Sequence, residues 1–141
     1  MTGNTPLASL ISEAKSGNLT VRMDPESFAR IEYECEAFKT TIKNIQRSVG
    51  DLTNIQTWGF GDHEGSFLTS APTMADRFRK IAKGSESGND FHTVLQEHWT
   101  AVEDIRLLHV AIRERFVAED ESFAARFNAE TARLDQTPGG R

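Results

Sequence analysis

The residues that could do chemistry in this chain are four histidines, one cysteine and 21 carboxylates. His98 and His109 stand eleven positions apart, which places them on one face of a helix but about 16 Å apart along its axis. One metal ion cannot bridge that distance. The chain also lacks the His-Glu-x-x-His, Glu-x-x-His and paired-cysteine spacings that bring ligands together. The sequence therefore predicts no metal site and no cofactor, and both histidines are interpreted as polar positions that fix helix pairing.

The Asp62-His63-Glu64 cluster is a second candidate, for acid–base catalysis. No nucleophile elbow, glycine-rich phosphate loop or carboxylate pair accompanies it, and the later loop "GSESGN" lacks the lysine of a phosphate-binding loop. The single cysteine, Cys35, cannot form an intramolecular disulfide and stands where an apolar residue is expected. We therefore predict no catalytic residues and no enzymatic activity, with the charged cluster solvated in a bend.

Composition narrows the function classes further. The chain has 141 residues, enough for one domain, and its apolar fraction of 38% suits helices that each bury one stripe. Its net charge of -5 offers no basic face for nucleic acid and argues against docking on anionic lipid. No apolar run approaches the roughly 20 residues of a membrane span. The N-terminal residues show no signal-peptide pattern, so synthesis in the cytoplasm is expected.

The elements that must position any site are helices. Residues 7–14 have apolar positions at helical spacing that stop at Gly17-Asn18, which predicts a short first helix. Asp24-Pro25 then reads as a cap and a first helical position.

The helix that follows, from about residue 25 to about residue 55, has an apolar pairing seam at alternating spacings of three and four. The seam consists of Phe28, Ile31, Cys35, Phe38, Ile42, Ile45, Val49 and Leu52. Charged residues between the seam positions, including Glu32, Glu36 and Lys39, are interpreted as a solvated outer face of this helix.

The sequence after the bend predicts two more helices. A shorter helix begins at Ser70-Ala71-Pro72 and ends at Gly84. A last helix is capped by Asn89 or Asp90 and meets no glycine or proline before Thr137, so it is predicted to be continuous.

The predicted fold is therefore all-α. It is an antiparallel helical hairpin of two long helices, with a short N-terminal helix and a short helix after the bend. Residues 1–20 are expected to form the N-terminal helix and its linker, residues 21–135 the hairpin domain, and residues 136–141 a disordered tail.

The bend of the hairpin is expected at Trp58, Gly59 and Gly61. Trp58 follows Ile55 by three positions and so continues the apolar stripe into the turn. The two glycines permit the positive φ angles that a helix-ending bend requires. Two readings of Trp58 stay open: it closes the end of the hairpin core, or it anchors an interface with a partner.

A second pattern lies late in the last helix. Phe116, Asp120, Phe123 and Phe127 follow one another at spacings of four, three and four, which places them on one face of a continuous helix. A first long helix of about 30 residues covers the last helix only to about residue 120. The phenylalanine-rich surface beyond that point needs another cover, either the N-terminal helix or a partner protein.

These features together resemble the WxG-type helical-hairpin proteins, the small substrates of type VII (ESX) secretion in Gram-positive bacteria and especially actinobacteria. The resemblance covers roughly residues 25 to 130. It makes Trp58 and Gly59 the bend, with glycine one and three positions after the tryptophan instead of two. The family's late Tyr-x-x-x-acid export pattern corresponds to Phe116 and Asp120 with phenylalanine in place of tyrosine, and Phe123 and Phe127 complete its hydrophobic frame.

The resemblance implies a non-enzymatic, type VII secretion-associated substrate or effector that acts through helix–helix interaction. Such a protein would pair through its seam with itself or a similar helical-hairpin protein, as a dimeric four-helix bundle, and be exported folded. A secretion ATPase or a chaperone would read Phe116 and Asp120.

Two other hypotheses stay open from the residues alone. One is a cytosolic chaperone or adaptor whose exposed face around Phe123 and Phe127 binds a partner helix. The other is an enzyme or metal protein built in the bundle core, for which carboxylates and histidines must converge. No spacing in the chain produces that convergence.

Overall fold

The computed structural model describes residues 7–137, and all regular structure in that range is helical. The all-α prediction is therefore confirmed for these residues; the ends of the predicted N-terminal segment and tail, residues 1–6 and 138–141, lie outside them. The helices are α1 (Ala8–Ser16), α2 (Pro25–Thr53), α3 (Ser70–Ala82), α4 (Phe91–Glu119) and α5 (Glu121–Asp135). None of these described helices combines the length and the apolarity needed to cross a bilayer.

Short-range capping explains most of the helix boundaries. The Asp24 carboxylate accepts the backbone N–H of Ser27 at 2.8 Å and so begins α2 as predicted. The Asp90 carboxylate accepts the backbone N–H of Thr93 at 3.0 Å, which makes Asp90 the cap of α4. At the end of α1, Gly17 takes a φ of 79° and its N–H bonds to the carbonyl of Ala14.

The described residues divide into two units, residues 7–40 with 100–137 and residues 41–99. Both long helices contribute to both units. In the first unit α2 and α4 pack antiparallel, since contacts move toward the start of α4 as they move along α2: Glu32 pairs with Arg113 and Lys39 with Glu103. The second unit shows the same direction, because Lys43 contacts Gln96 and Gln46 contacts the carbonyl of His92.

The first unit contains the apolar core. Phe28 lies at its centre, with its ring centroid 5.8 Å from that of Phe123 and 6.1 Å from that of Phe116. Helix α1 belongs to the same core through Ile11 and Ala14. The buried members of this cluster are Ile11, Ala14, Phe28, Ala29, Ala111, Ile112, Phe123 and Phe127.

The last predicted helix is not continuous, and this prediction was wrong. Helix α4 ends at Glu119, and Asp120 takes an extended conformation with φ -140° and ψ 108°. Its side chain accepts the backbone N–H of Phe123 at 3.1 Å and caps a separate helix, α5. An aspartate that bonds to a backbone N–H three residues ahead favours a new helix start over helix continuation.

The second unit buries much smaller side chains than the first. Among its described residues the buried apolar ones are Ile42, Val49 and three alanines of α3, Ala71, Ala75 and Ala82. Many larger apolar side chains of this unit are exposed: Ile45, Leu52, Ile55, Phe67, Leu68, Met74, Phe78, Ile81, Phe91 and Val94. The second unit therefore presents more large apolar side chains to solvent than it buries.

Candidate functional site

The structure splits the predicted pairing seam of α2 into two rows. Phe28, Ile42 and Val49 are buried and Cys35 is half-buried, all at seven-residue spacing. We call the other row the outer stripe: it consists of Ile31, Phe38, Ile45 and Leu52. Ile31 is half-buried, whereas Phe38, Ile45 and Leu52 are 52%, 40% and 41% exposed. Residues at this spacing lie along one side of a helix, so the outer stripe is an apolar strip that the chain itself leaves exposed.

Polar residues complete the inward face of α2. Lys39 and Gln46 are buried, and Glu32 is half-buried. The Arg113 guanidinium donates to both carboxylate oxygens of Glu32, at 2.8 Å and 3.2 Å. The prediction that Glu32 and Lys39 belong to a solvated outer face was therefore wrong. Glu32 stands four positions after the buried Phe28 and Lys39 four positions after the half-buried Cys35, and this spacing was the signal that sequence reasoning overlooked.

Glu103 of α4 lies at the centre of an ion-pair network in the first unit. Hydrogen bonds from the Arg106 guanidinium lower the pKa of Glu103. Burial raises this pKa, but a hydrogen bond from Lys39 lowers it further, and the resulting pKa is about 2. Arg106 also approaches Glu36 of α2 at 3.0 Å, and its hydrogen bond with Glu103 raises the pKa of its own guanidinium. Paired charges with fixed partners disfavour sliding of one helix along the other, so the network favours this register of α2 on α4.

The residues of the predicted export motif come together in the first unit, but not as an exposed face. Phe116 is half-buried and stacks on Phe123 with ring centroids 5.1 Å apart. Phe123 and Phe127 are buried, and the Arg113 guanidinium lies 4.6 Å from the centroid of the Phe127 ring. Two covers for this face stayed open from the sequence, and the structure shows the N-terminal one: α5 turns Phe123 and Phe127 into the core that α1 shares. The face that the chaperone or adaptor hypothesis requires to be exposed is therefore buried. Asp120 is exposed beside it.

The bend residues lie in the loop between α2 and α3. Gly59 and Gly61 both take a φ of 88°, as the bend prediction requires. Trp58 is half-buried with its ring centroid 6.1 Å from that of Phe78. Its indole Nε1 is enclosed and meets no acceptor among the described residues.

Asp62 has a structural role that the sequence did not indicate. Its carboxylate accepts the backbone N–H groups of Trp58 at 2.7 Å and of Gly59 at 3.2 Å, so it closes the bend. Desolvation raises the pKa of Asp62, but hydrogen bonds from these backbone groups outweigh it and hold the pKa below its usual value. His63 and Glu64 are exposed, as expected of a solvated cluster.

The remaining reactive residues are dispersed. In the described part of the chain no three histidines, cysteines, aspartates or glutamates stand together in a metal-binding group. A ring nitrogen of His98 lies 2.8 Å from the carbonyl of Val94, and one of His109 lies 2.7 Å from the carbonyl of Ile105. Burial raises the pKa of the Cys35 thiol, which disfavours the thiolate form.

Comparison with protein-family models, with curated proteins and with solved structures gives no match to this chain. The candidate site therefore rests on the chain's own geometry. Its best-defined part is the outer stripe of α2. Separately, Phe91, Val94 and Ile105 of α4 are exposed and share helical spacing, and the sequence did not single them out as a surface.

Proposed function

We propose that this chain is a non-enzymatic protein that acts by helix–helix association, pairing through the outer stripe of α2 with a second copy of itself or a similar helical-hairpin protein. The observation that carries the proposal is the exposure of Phe38, Ile45 and Leu52 at seven-residue spacing on one helix. Such a row is half of a coiled-coil seam, and the partner that fits it is another helix with apolar residues at the same spacing.

Type VII secretion is the setting that we propose for this association, on the strength of the resemblance of the bend and of the late aromatic-plus-acid pattern. Of the four export-motif residues, Asp120 and the half-buried Phe116 are accessible to a secretion ATPase or a chaperone, while Phe123 and Phe127 support them from the core. In this proposal, export depends on the negative charge of Asp120 as well as on its role as the N-cap of α5.

The pairing is tested by sedimentation equilibrium of the parent chain and two charge-matched variants at micromolar concentration. Ile45→Lys places a cation in the outer stripe, whereas Thr40→Lys places one on the opposite, exposed side of α2. We expect the parent and Thr40→Lys to dimerise and Ile45→Lys to remain monomeric. A monomeric parent, or equal association of all three proteins, contradicts pairing through this stripe.

The secretion setting is tested separately with Asp120→Asn and Asp120→Ala. Asparagine caps a helix about as well as aspartate, so Asp120→Asn keeps the fold and removes the charge. We expect its export into the culture filtrate of a type VII-competent host to be lost while its unfolding curve matches the parent. Export at the parent level, or no secretion-dependent export of the parent, rejects the setting without affecting the pairing proposal.

A further inference from the structure

Helix α3 presents an apolar strip to solvent that the association of α2 does not use. Met74, Phe78 and Ile81 are exposed and stand at spacings of four and three, on one side of the helix. In the loop just before α3, Phe67 is 100% exposed and Leu68 is more than half exposed. Meanwhile Ala71, Ala75 and Ala82 are buried on an adjoining side of α3. The alanines hold α3 in the second unit while its larger apolar side chains remain in water.

The same helix carries a concentration of positive charge in an acidic protein. Residues 70–83 hold four of the chain's 16 basic residues and one acid, Asp76. Arg79 is engaged within the unit, because it pairs with Asp76 at 3.0 Å and donates to the carbonyl of Ile55 at 2.9 Å. Arg77, Lys80 and Lys83 are exposed, and among the described residues none of the ion pairs involves them.

The cations stand where they can act together with the apolar strip. At 100° per residue, Arg77 borders the strip beside Ile81, and Lys80 lies further round the helix, on the side away from the buried alanines. The stems of arginine and lysine can lie along apolar surface while their charged ends reach outward to anionic groups. Trp58 and Phe60 adjoin the strip, with ring centroids 6.1 Å and 6.3 Å from that of Phe78. These rings extend the apolar area around Phe78.

We propose that α3 and the preceding Phe67-Leu68 loop dock on the surface of an anionic lipid membrane. In this arrangement Phe67, Phe78 and Ile81 enter the headgroup boundary, and Arg77, Lys80 and Lys83 contact lipid phosphates. The chain's net charge of -5 argues against lipid binding only if it is evenly spread, and α3 carries the opposite sign. The nearest acids in the bend oppose docking weakly, because Asp62 is turned onto backbone N–H groups and Glu64 is a single charge.

The test is cosedimentation of the full chain with vesicles of equal parts phosphatidylglycerol and phosphatidylcholine, beside vesicles of phosphatidylcholine alone. We expect salt-sensitive binding to the anionic vesicles and weak binding to the neutral ones. The triple variant Arg77→Gln, Lys80→Gln, Lys83→Gln should bind anionic vesicles about a hundredfold more weakly, at about fivefold for each cation. Phe67→Ser, which removes a fully exposed apolar side chain, should weaken binding to both vesicle types about tenfold.

The matched control is Lys15→Gln, Arg22→Gln, Arg47→Gln, which removes the same charge from exposed positions outside α3. It should bind like the parent, and circular dichroism should show all variants to be folded. Absence of parent binding to anionic vesicles, or equal loss of binding in the two triple variants, overturns the proposal. If the parent does not bind vesicles but self-associates, and Phe67→Ser loses that self-association, the α3 face binds a second copy of the chain. This result also overturns the membrane proposal.

Discussion

The rings of Phe116 and Phe123 stack with their centroids 5.1 Å apart, although they belong to different helices. The contact exists because α4 ends at Glu119 and Asp120 begins α5, which allows Phe123 to pack against both Phe116 and Phe28. Arg126 of α5 also pairs with Glu26 at 2.7 Å, near the start of α2. The helix break therefore converts an apolar surface at the end of the chain into the core of the first unit.

The Asp120 cap should contribute measurably to the stability of that core. We expect Asp120→Ala to lower the free energy of unfolding by about 1 kcal/mol, because the N–H of Phe123 loses its acceptor. Asp120→Asn should stay within a few tenths of a kcal/mol of the parent, since the amide oxygen replaces the carboxylate oxygen. Urea denaturation followed by far-UV circular dichroism measures both. Equal stability of Asp120→Ala and the parent would show that α5 does not depend on this cap.

Two phenylalanines of α2 should differ sharply in their contribution to stability. Phe28 is 0% exposed at the centre of the core, whereas Phe38 belongs to the outer stripe. We expect Phe28→Ala to lower the free energy of unfolding by about 3–5 kcal/mol and Phe38→Ala by about 1 kcal/mol or less. Chemical denaturation below the concentration of self-association compares them directly. Losses of similar size would contradict the assignment of Phe38 to an exposed surface.

The ion-pair network around Glu103 should make stability depend on acid pH. Its pKa is lowered from 4.5 to about 2 on folding, so its stabilisation is complete above pH 4.5 and is lost as the pH falls toward 2. Because the side chain is 21% exposed, solvent screens the network, and we expect a loss of about 1–2 kcal/mol across that range. Unfolding free energies of the parent and Glu103→Gln, measured between pH 7 and pH 2.5, test this. The variant should lose less stability on acidification, and parallel curves would refute the role of Glu103.

The local elements of this fold can be predicted from the sequence, whereas the partners of each helix face cannot. Asp24-Pro25 and Gly17 mark helix ends through contacts with their immediate neighbours, and the structure confirms them. From the sequence, a helix break at Asp120 could not be distinguished from an exposed aspartate on a continuous helix. The break is favoured because it buries Phe123 against Phe28, a residue 95 positions away. The glycine-free, proline-free stretch around it favoured continuity.

The division of the α2 seam was unpredictable for a related reason. Periodicity shows that Phe28, Phe38 and Ile42 share an apolar side of the helix, but it does not show where the centre of the contact with α4 lies. In the structure Lys39 and Glu32 lie on the inward side of α2, where they pair with Glu103 and Arg113 of α4. The contact consequently turns toward the polar side of the seam, and the outer stripe is left exposed.

Glycine substitutions within and just after α2 should change stability in opposite directions. Gly50 lies inside α2, and a Cβ added there meets nothing within 4 Å. Gly50→Ala should therefore raise the free energy of unfolding by about 0.5–1 kcal/mol through better helix propensity and lower entropy of the unfolded chain. Gly59 also has open space around it but takes a φ of 88°, so Gly59→Ala should lower the free energy by about 1–2 kcal/mol.

Gly61 separates backbone strain from side-chain contact in the same bend. It shares the φ of 88°, and its added Cβ would lie 2.5 Å from the Cδ1 atom of Leu68. Because Leu68 is exposed and can rotate away, we expect Gly61→Ala to lower the free energy of unfolding only slightly more than Gly59→Ala. Adding Leu68→Ala should remove that small excess, since the strain at positive φ is common to both sites. Urea denaturation of the set measures these differences, and a stabilised Gly59→Ala would show that the bend does not hold its glycines at positive φ.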